Sequence, residues 1–467
     1  MEKSGFNKVL NGAEVLMMAF GAMIGWGWVV SSGEWIASAG ILGTAIGFII
    51  GGITIYFVGM CYAELTSAMP GGGELLFSYK ALGKNAAFIC SWAMLLSFVG
   101  VVCYEACSLP TIIQYIFPGF LKGYLYTVAG FDVYFSWLIL AAVIAILITY
   151  LNIRGLKAAM KLQTVLTSVI AIVGIVLVAS SAIGGEGANL EGQVFVSSEP
   201  IANIKGCLSV AAVAPFFLFG FDVIPKAAEE INVPLRKVGK ILIFSIVLAV
   251  SFYALVVLAI GYALDKNSIA NSSQDLGLVA ADAMAKLFNS KAMADVIIIG
   301  GICGVVTSWN SFLIGGSRTM YYMARANMIP TYLGKLHHKY NSPANAVILI
   351  GAVSIISPFF GKQMLLWISE ASSFACCVAY FISSLSFLIL RKKKPDLDRP
   401  FKVKHWKSVG VTAMILSGFM ILNFIIPSAG ASLTSQEWII ILLWSALGFV
   451  FYLASRLKYK ERFGLIV

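Results

Sequence analysis

The sequence predicts an all-α polytopic membrane protein of twelve transmembrane helices, ten of them forming a five-plus-five inverted repeat around two broken helices, with two more at the C-terminal end. Three observations predict it. Of 467 residues, 59% are hydrophobic and only 12% charged, whereas soluble chains carry about 25% charged residues. Twelve apolar runs approach or exceed the ~20 residues that a span needs, near residues 13–38, 41–67, 86–117, 133–151, 158–183, 205–230, 237–264, 293–327, 344–360, 364–390, 408–427 and 437–458. The first and sixth runs are interrupted by glycine or proline, and each opens a block of five.

The charges orient these spans. The net charge is +11, yet of 33 Lys and Arg only Lys122, Lys205, Lys266, Lys286, Lys291 and Lys362 fall on the side opposite the N-terminus. By the positive-inside rule both termini are expected in the cytoplasm, on a plasma (cell inner) membrane. Nucleic acid is therefore not an expected partner. The run Arg391-Lys392-Lys393-Lys394, with Lys402, Lys404 and Lys407, reads as a topology anchor against anionic membrane lipid.

No cofactor or metal is expected, and no enzyme activity. All eight cysteines lie in spans or at their edges, and His337, His338 and His405 sit in loops, so no intramembrane metal or haem site can be assembled from them. The outer loop from Pro118 to Asp132 contains no cysteine, which argues against a disulfide-linked accessory subunit.

The first span contains Gly21-Ala22-Met23-Ile24-Gly25-Trp26-Gly27-Trp28. Glycines two apart leave backbone N–H and C=O groups free to face a solute; close packing of helices through small residues is the competing account. The sixth span carries Pro215, Gly220 and Pro225 within eleven residues, around Asp222. Such a helix cannot run unbroken without losing backbone bonds. Two interrupted spans in matching positions point to an inverted-repeat transporter whose site lies between the breaks. In the third span Glu105 lies about two-thirds of the way across, at a depth where an ionised side chain costs at least ~2.5 kcal/mol. It must face a cavity, find a partner or stay protonated.

The motifs together resemble the amino acid–polyamine–organocation permease superfamily: Gly-x-Met-Ile-Gly-x-Gly in the first span, Tyr62-Ala63-Glu64-Leu65 followed by Pro70 and Gly71 to Gly73, Phe217-x-Phe-Gly-Phe-Asp222 with Ala228-Glu229-Glu230-x-x-x-Pro234-x-Arg236, and Ser317-Arg318 with a following Pro330. The resemblance covers residues 12 to about 395. It implies a LeuT-type core over residues 1–395, with repeat one about 12–183 and repeat two about 205–390, and two added helices plus a tail over 396–467. It also implies that the backbone at Ile24, Gly25, Trp26 and Gly27 beds a substrate carboxylate, that the carbonyls around Phe216, Phe219 and Gly220 take the amine, that Met23, Phe221 and Asp222 belong to the same binding site, and that Phe312 faces the pocket. Trp26 stands where the family usually has a small residue, either shrinking the pocket, presenting a face to a cation or pointing outward. The fifth span lacks the lysine that some proton-coupled relatives carry.

The expected function is a permease moving an amino acid or related small amine by alternating access, coupled to protons or by exchange. Glu105 is the candidate for carrying a proton, pairing with a substrate ammonium, or donating a hydrogen bond while protonated. A sodium site of first-span carbonyls with Thr307, Ser308 or Ser311 is a further option. Arg318 with Glu229 or Glu230 is a candidate cytoplasmic gate. A polyamine or quaternary-amine importer is the alternative, and a nutrient sensor without turnover a more distant one.

Overall fold

A computed structural model describes residues 6–275, 278–361, 364–427 and 432–465; Lys362 lies outside them. Asn11 opens α1 (Gly12–Met23), accepting from the Ala13 and Glu14 N–H groups while Glu14 returns a bond to the Asn11 N–H, a capping box that satisfies the helix's first donors. The first span then breaks at Ile24 and resumes as α2 (Gly27–Val30) and α3 (Ser32–Ala39). After α4 (Ile41–Ala68), Pro70 and three glycines at positive φ turn the chain into α5 (Glu74–Leu82) and α6 (Lys84–Ile116).

The candidate spans are helical, and among the described residues one short hairpin lies between two of them. A hairpin of β1 (Tyr124–Val128) and β2 (Phe131–Tyr134) caps the outer end of α6, pairing Val128 with Phe131 and Thr127 with Asp132. Ala129 and Gly130 both have positive φ, as a tight hairpin turn between twisted strands requires. The fourth span therefore begins at Phe135 and not at 133.

The chain continues through α7 (Phe135–Ile153) and α8 (Leu156–Gly184), then α9 (Pro200–Phe217), the break, and α10 (Val223–Ala227). It goes on through α11 (Leu235–Ala263), α12 (Lys266–Asp275), α13 (Val279–Phe288), α14 (Lys291–Arg325), α15 (Ala344–Ile356), α16 (Met364–Lys393), α17 (Trp406–Ile425) and α18 (Ser435–Tyr459). Among the described residues ten helices are long and apolar enough to cross a membrane, and two shorter apolar stretches, Gly12–Met23 and Ala344–Phe360, stand at the first and ninth expected spans. The first is short because it is broken, the ninth because Pro358 tightens its end into a 3-10 turn.

Packing places the two breaks at the centre. Helix α1 lies among α8, α11 and α14; α6 packs on α14 and α16; α4 packs on α9 and α11. Gly220 sits at φ +133°, where a Cβ would stand 2.7 Å from the Ala22 Cβ and 3.0 Å from the Met23 nitrogen. Only glycine allows that approach, so the interruption of the sixth span rests directly on the end of α1. The outer helix α18 turns Leu442, Leu443, Phe449, Val450 and Leu457 outward.

Candidate functional site

The breaks expose peptide groups. No backbone carbonyl among the described residues accepts from the N–H groups of Gly25, Trp26, Gly27 or Trp28, and no backbone N–H donates to the carbonyls of Phe216, Phe217, Leu218 or Phe219. The Gly220 carbonyl is taken by the Val223 N–H at 3.3 Å, and the Met23 carbonyl accepts from the Tyr253 hydroxyl at 3.0 Å. Unpaired buried backbone groups are costly, so these are the groups with most to gain from a polar solute. Gly27 keeps the two breaks close, since a Cβ there would overlap the Phe217 ring.

Between the breaks lies a cavity of about 40 Å³, room for a few waters. Met23, Gly25, Trp26, Gly27, Phe216, Phe219, Phe312 and Glu105, all named from the sequence, line it, with Ser308 of the sodium option and with Tyr104, Phe217 and Tyr253, which the sequence reading did not single out. Ile24, Gly220, Phe221 and Asp222 do not line it. The Ile24 carbonyl is turned toward Gly304. Phe221 packs between Tyr62 and Tyr380, at 5.4 and 5.5 Å. Asp222 Oδ2 accepts from the Tyr380 hydroxyl at 2.6 Å, so that carboxylate is spent on fixing α16 to the break.

Glu105 is 3% exposed, and its Oε2 has no hydrogen-bond partner among the described residues. Its Oε1 lies beside Gly25. No Lys, Arg or His lines the cavity. A buried carboxylate so placed must be neutralised, by a proton or by a cation that enters.

A second cavity of about 330 Å³ opens away from the N-terminal face, lined among others by Glu34, Trp35, Ser209, Glu370 and Asn423. Tyr104, Phe216, Phe217 and Phe219 line both cavities. Their rings form the partition, with Phe216 edge-on to Phe217 at 5.0 Å and Trp35 edge-on to Phe217 at 4.7 Å. Glu370 is partly buried in this wall.

Residues 10–448 match the family model described as amino acid permease. The chain belongs to the amino acid permease family. That places it in the superfamily its motifs resemble. The branched-chain amino acid permease of Bacillus subtilis is 26% identical over 98% of this chain and 95% of its own length. The methylthioribose transporter of the same organism is 26% identical over 96% and 94%, and its aspartate–proton symporter 24% over 90% and 80%.

On its N-terminal face the permease is closed by buried charge pairs. Arg318 Nε meets Glu230 Oε1 at 2.9 Å and its Nη2 donates to Oε2 at 3.4 Å, with both side chains buried. Glu229 does not join this fork; it accepts from the Tyr322 hydroxyl at 2.7 Å. Two further clusters are invisible to local sequence patterns. Lys226 of α10 pairs with Glu74 of α5, both wholly buried, and Gly73 is what lets the Lys226 ammonium come so near the backbone. Glu64 binds Arg391 at 2.6 Å and Arg399 at 3.0 Å. The N-terminal segment lies across the Arg318–Glu230 pair: the Val9 and Leu10 N–H groups donate to the Glu230 carbonyl, and the Arg318 guanidinium sits 5.9 Å from the Phe6 ring.

Between α1, α7, α8 and α14 this permease has a set of neutral hydrogen bonds. Asn152 donates to Asn310 at 2.8 Å, Asn310 to Gln163 at 2.9 Å, and Thr167 to the Met17 carbonyl at 3.3 Å. The Thr307 hydroxyl donates to the Gly304 carbonyl at 3.0 Å and the Ser311 hydroxyl to the Met18 carbonyl at 3.1 Å. Ser308 instead lines the cavity.

Proposed function

We propose that this permease is a secondary active transporter that moves an amino acid or related small amine across the plasma membrane by alternating access, coupled to protons or by exchange. The observation that carries the reading is the central cavity between the two helix breaks, shut on one face by paired charges and separated from the outer cavity by aromatic rings alone. With the termini in the cytoplasm, this is the state closed toward the inside. A bound carboxylate would take the free N–H groups of Gly25 to Trp28, and an ammonium the carbonyls of Phe216 and Phe219 with Glu105 behind it. Inward opening then requires Arg318, Glu230, Lys226 and Glu74 to part.

The proton is the better supported coupling ion. Glu105 lines the cavity with an Oε2 that lacks a partner among the described residues, whereas of the sodium option only Ser308 lines it; the Thr307 and Ser311 hydroxyls donate to carbonyls, keep their lone pairs, and lie outside the lining. The aromatic walls also suit a quaternary amine, which has no use for the N–H groups of the first break; choline competing where alanine does not is the result that would favour that importer. Reconstitution into vesicles with an imposed pH gradient tests the main reading. Accumulation or exchange of a radiolabelled amino acid is expected. Saturable binding with neither contradicts transport and favours the sensor.

A further inference from the structure

We infer that Trp26 sets the size limit of the central site, which is built for compact amino acids or amines, with side chains no larger than a methyl or hydroxymethyl group. The inference rests on the central cavity being the substrate site. The Trp26 indole is 5% exposed and lines the cavity next to Gly25 and Glu105. Its six-membered ring lies against α14 at Gly301, where any Cβ would overlap Cζ3 and Cε3.

The ring has nowhere to retreat. Gly304, one helical turn along, receives the peptide of Ile24 and Gly25 in the same way, with a Cβ there 2.8 Å from the Ile24 oxygen and 2.6 Å from the Gly25 oxygen. A Cβ on Gly300 would stand 3.5 Å from Trp28 Cζ2. Helix α14 thus offers a flat glycine track on which the broken segment of the first span is seated. Backbone lies behind the indole and solute space in front of it. Trp28 takes no part in the pocket; it is fully buried and edge-on to Phe252 at 5.5 Å. The other walls are Phe216, Phe217, Phe219 and Phe312, large rings that likewise leave a cavity of only about 40 Å³. A single methylene of misfit in such a pocket changes binding by roughly 10- to 200-fold. Trp26 and Gly301 therefore act as a size-matched pair.

The test uses the full-length purified protein, with ligand-induced thermal stabilisation and competition by glycine, alanine, serine, leucine and phenylalanine. The wild type is expected to rank alanine and serine above leucine and phenylalanine. Trp26→Ser is expected to raise leucine relative to alanine by about tenfold or more. Gly301→Ala, which pushes the indole into the cavity, should weaken alanine about tenfold, and the double variant should recover it, a rescue that misfolding would not give. An unchanged ranking in Trp26→Ser, or wild-type alanine binding in Gly301→Ala, overturns the size rule. If none of the four proteins responds to any amino acid or to a panel of small amines, the substrate reading itself is overturned, and the size rule falls with it.

Discussion

Glu105 concentrates the chemistry of the cavity because it is the carboxylate there with an oxygen that nothing in the described chain satisfies. Replacing it by glutamine keeps the shape and removes the titratable site. Glu105→Gln is expected to lose pH-driven accumulation, measured in vesicles, and full retention would end its proton role. Lys226 and Glu74 obey different physics. Breaking a wholly buried ion pair by removing one partner strands a charge and costs about 3–5 kcal/mol, whereas replacing both with apolar residues is often neutral. Lys226→Met alone should therefore lower the melting midpoint strongly, and Lys226→Met with Glu74→Leu should restore most of it. The sequence made Glu105 legible, since an acidic residue deep in an apolar run has few explanations. It hid Lys226, which sits among the charges of a helix end and whose partner lies 152 positions away on α5.

The elements divide in the same way. Interruptions of α1 and α9 were readable because glycine and proline act locally. What the interruptions touch was not. Nothing in Gly300-Gly301-x-x-Gly304 says that an indole will lie on it, and Phe221 and Asp222, adjacent to cavity residues in sequence, turn away because Tyr380 and Tyr62 hold them. Gly220→Ala would force both a disfavoured φ and a Cβ against the backbone of Ala22. It should abolish uptake at unchanged expression, as measured by transport per molecule in vesicles. In the segment that follows α11, Asp265 caps α12. Its carboxylate accepts the Ser268 hydroxyl at 2.7 Å and the Ser268 and Asn267 N–H groups at 3.1 and 3.0 Å, with Lys286 at 3.7 Å, and these hold its pKa down to about 2. A pKa depressed on folding stabilises above the ordinary carboxylate value near 4 and ceases to do so as pH falls through about 2. The melting midpoints of the wild type and Asp265→Asn should differ by a constant amount from pH 7 to about 5 and converge progressively toward pH 2.

At the scale of the whole molecule, the asymmetry between the two faces is the main result. One carries the buried pairs Arg318–Glu230 and Lys226–Glu74 and the cluster of Glu64 with Arg391 and Arg399; the other carries the aromatic partition of Tyr104, Phe216, Phe217 and Phe219. The sequence motif Tyr-Ala-Glu-Leu flagged Glu64, but its two arginines are more than 300 positions on, a distance at which no single-sequence pattern reaches. Family membership follows from the match along residues 10–448, and the relatives it gathers are named for solutes as different as aspartate and methylthioribose, so the solute has to be found at the cavity. The most direct measurement is a structure of the purified protein with the amino acid or amine that stabilises it most. Density between the free peptide groups of Gly25 to Gly27 and those of Phe216 to Phe219, in contact with Glu105, is the predicted result. A solute bound elsewhere, with that cavity unchanged, would contradict it.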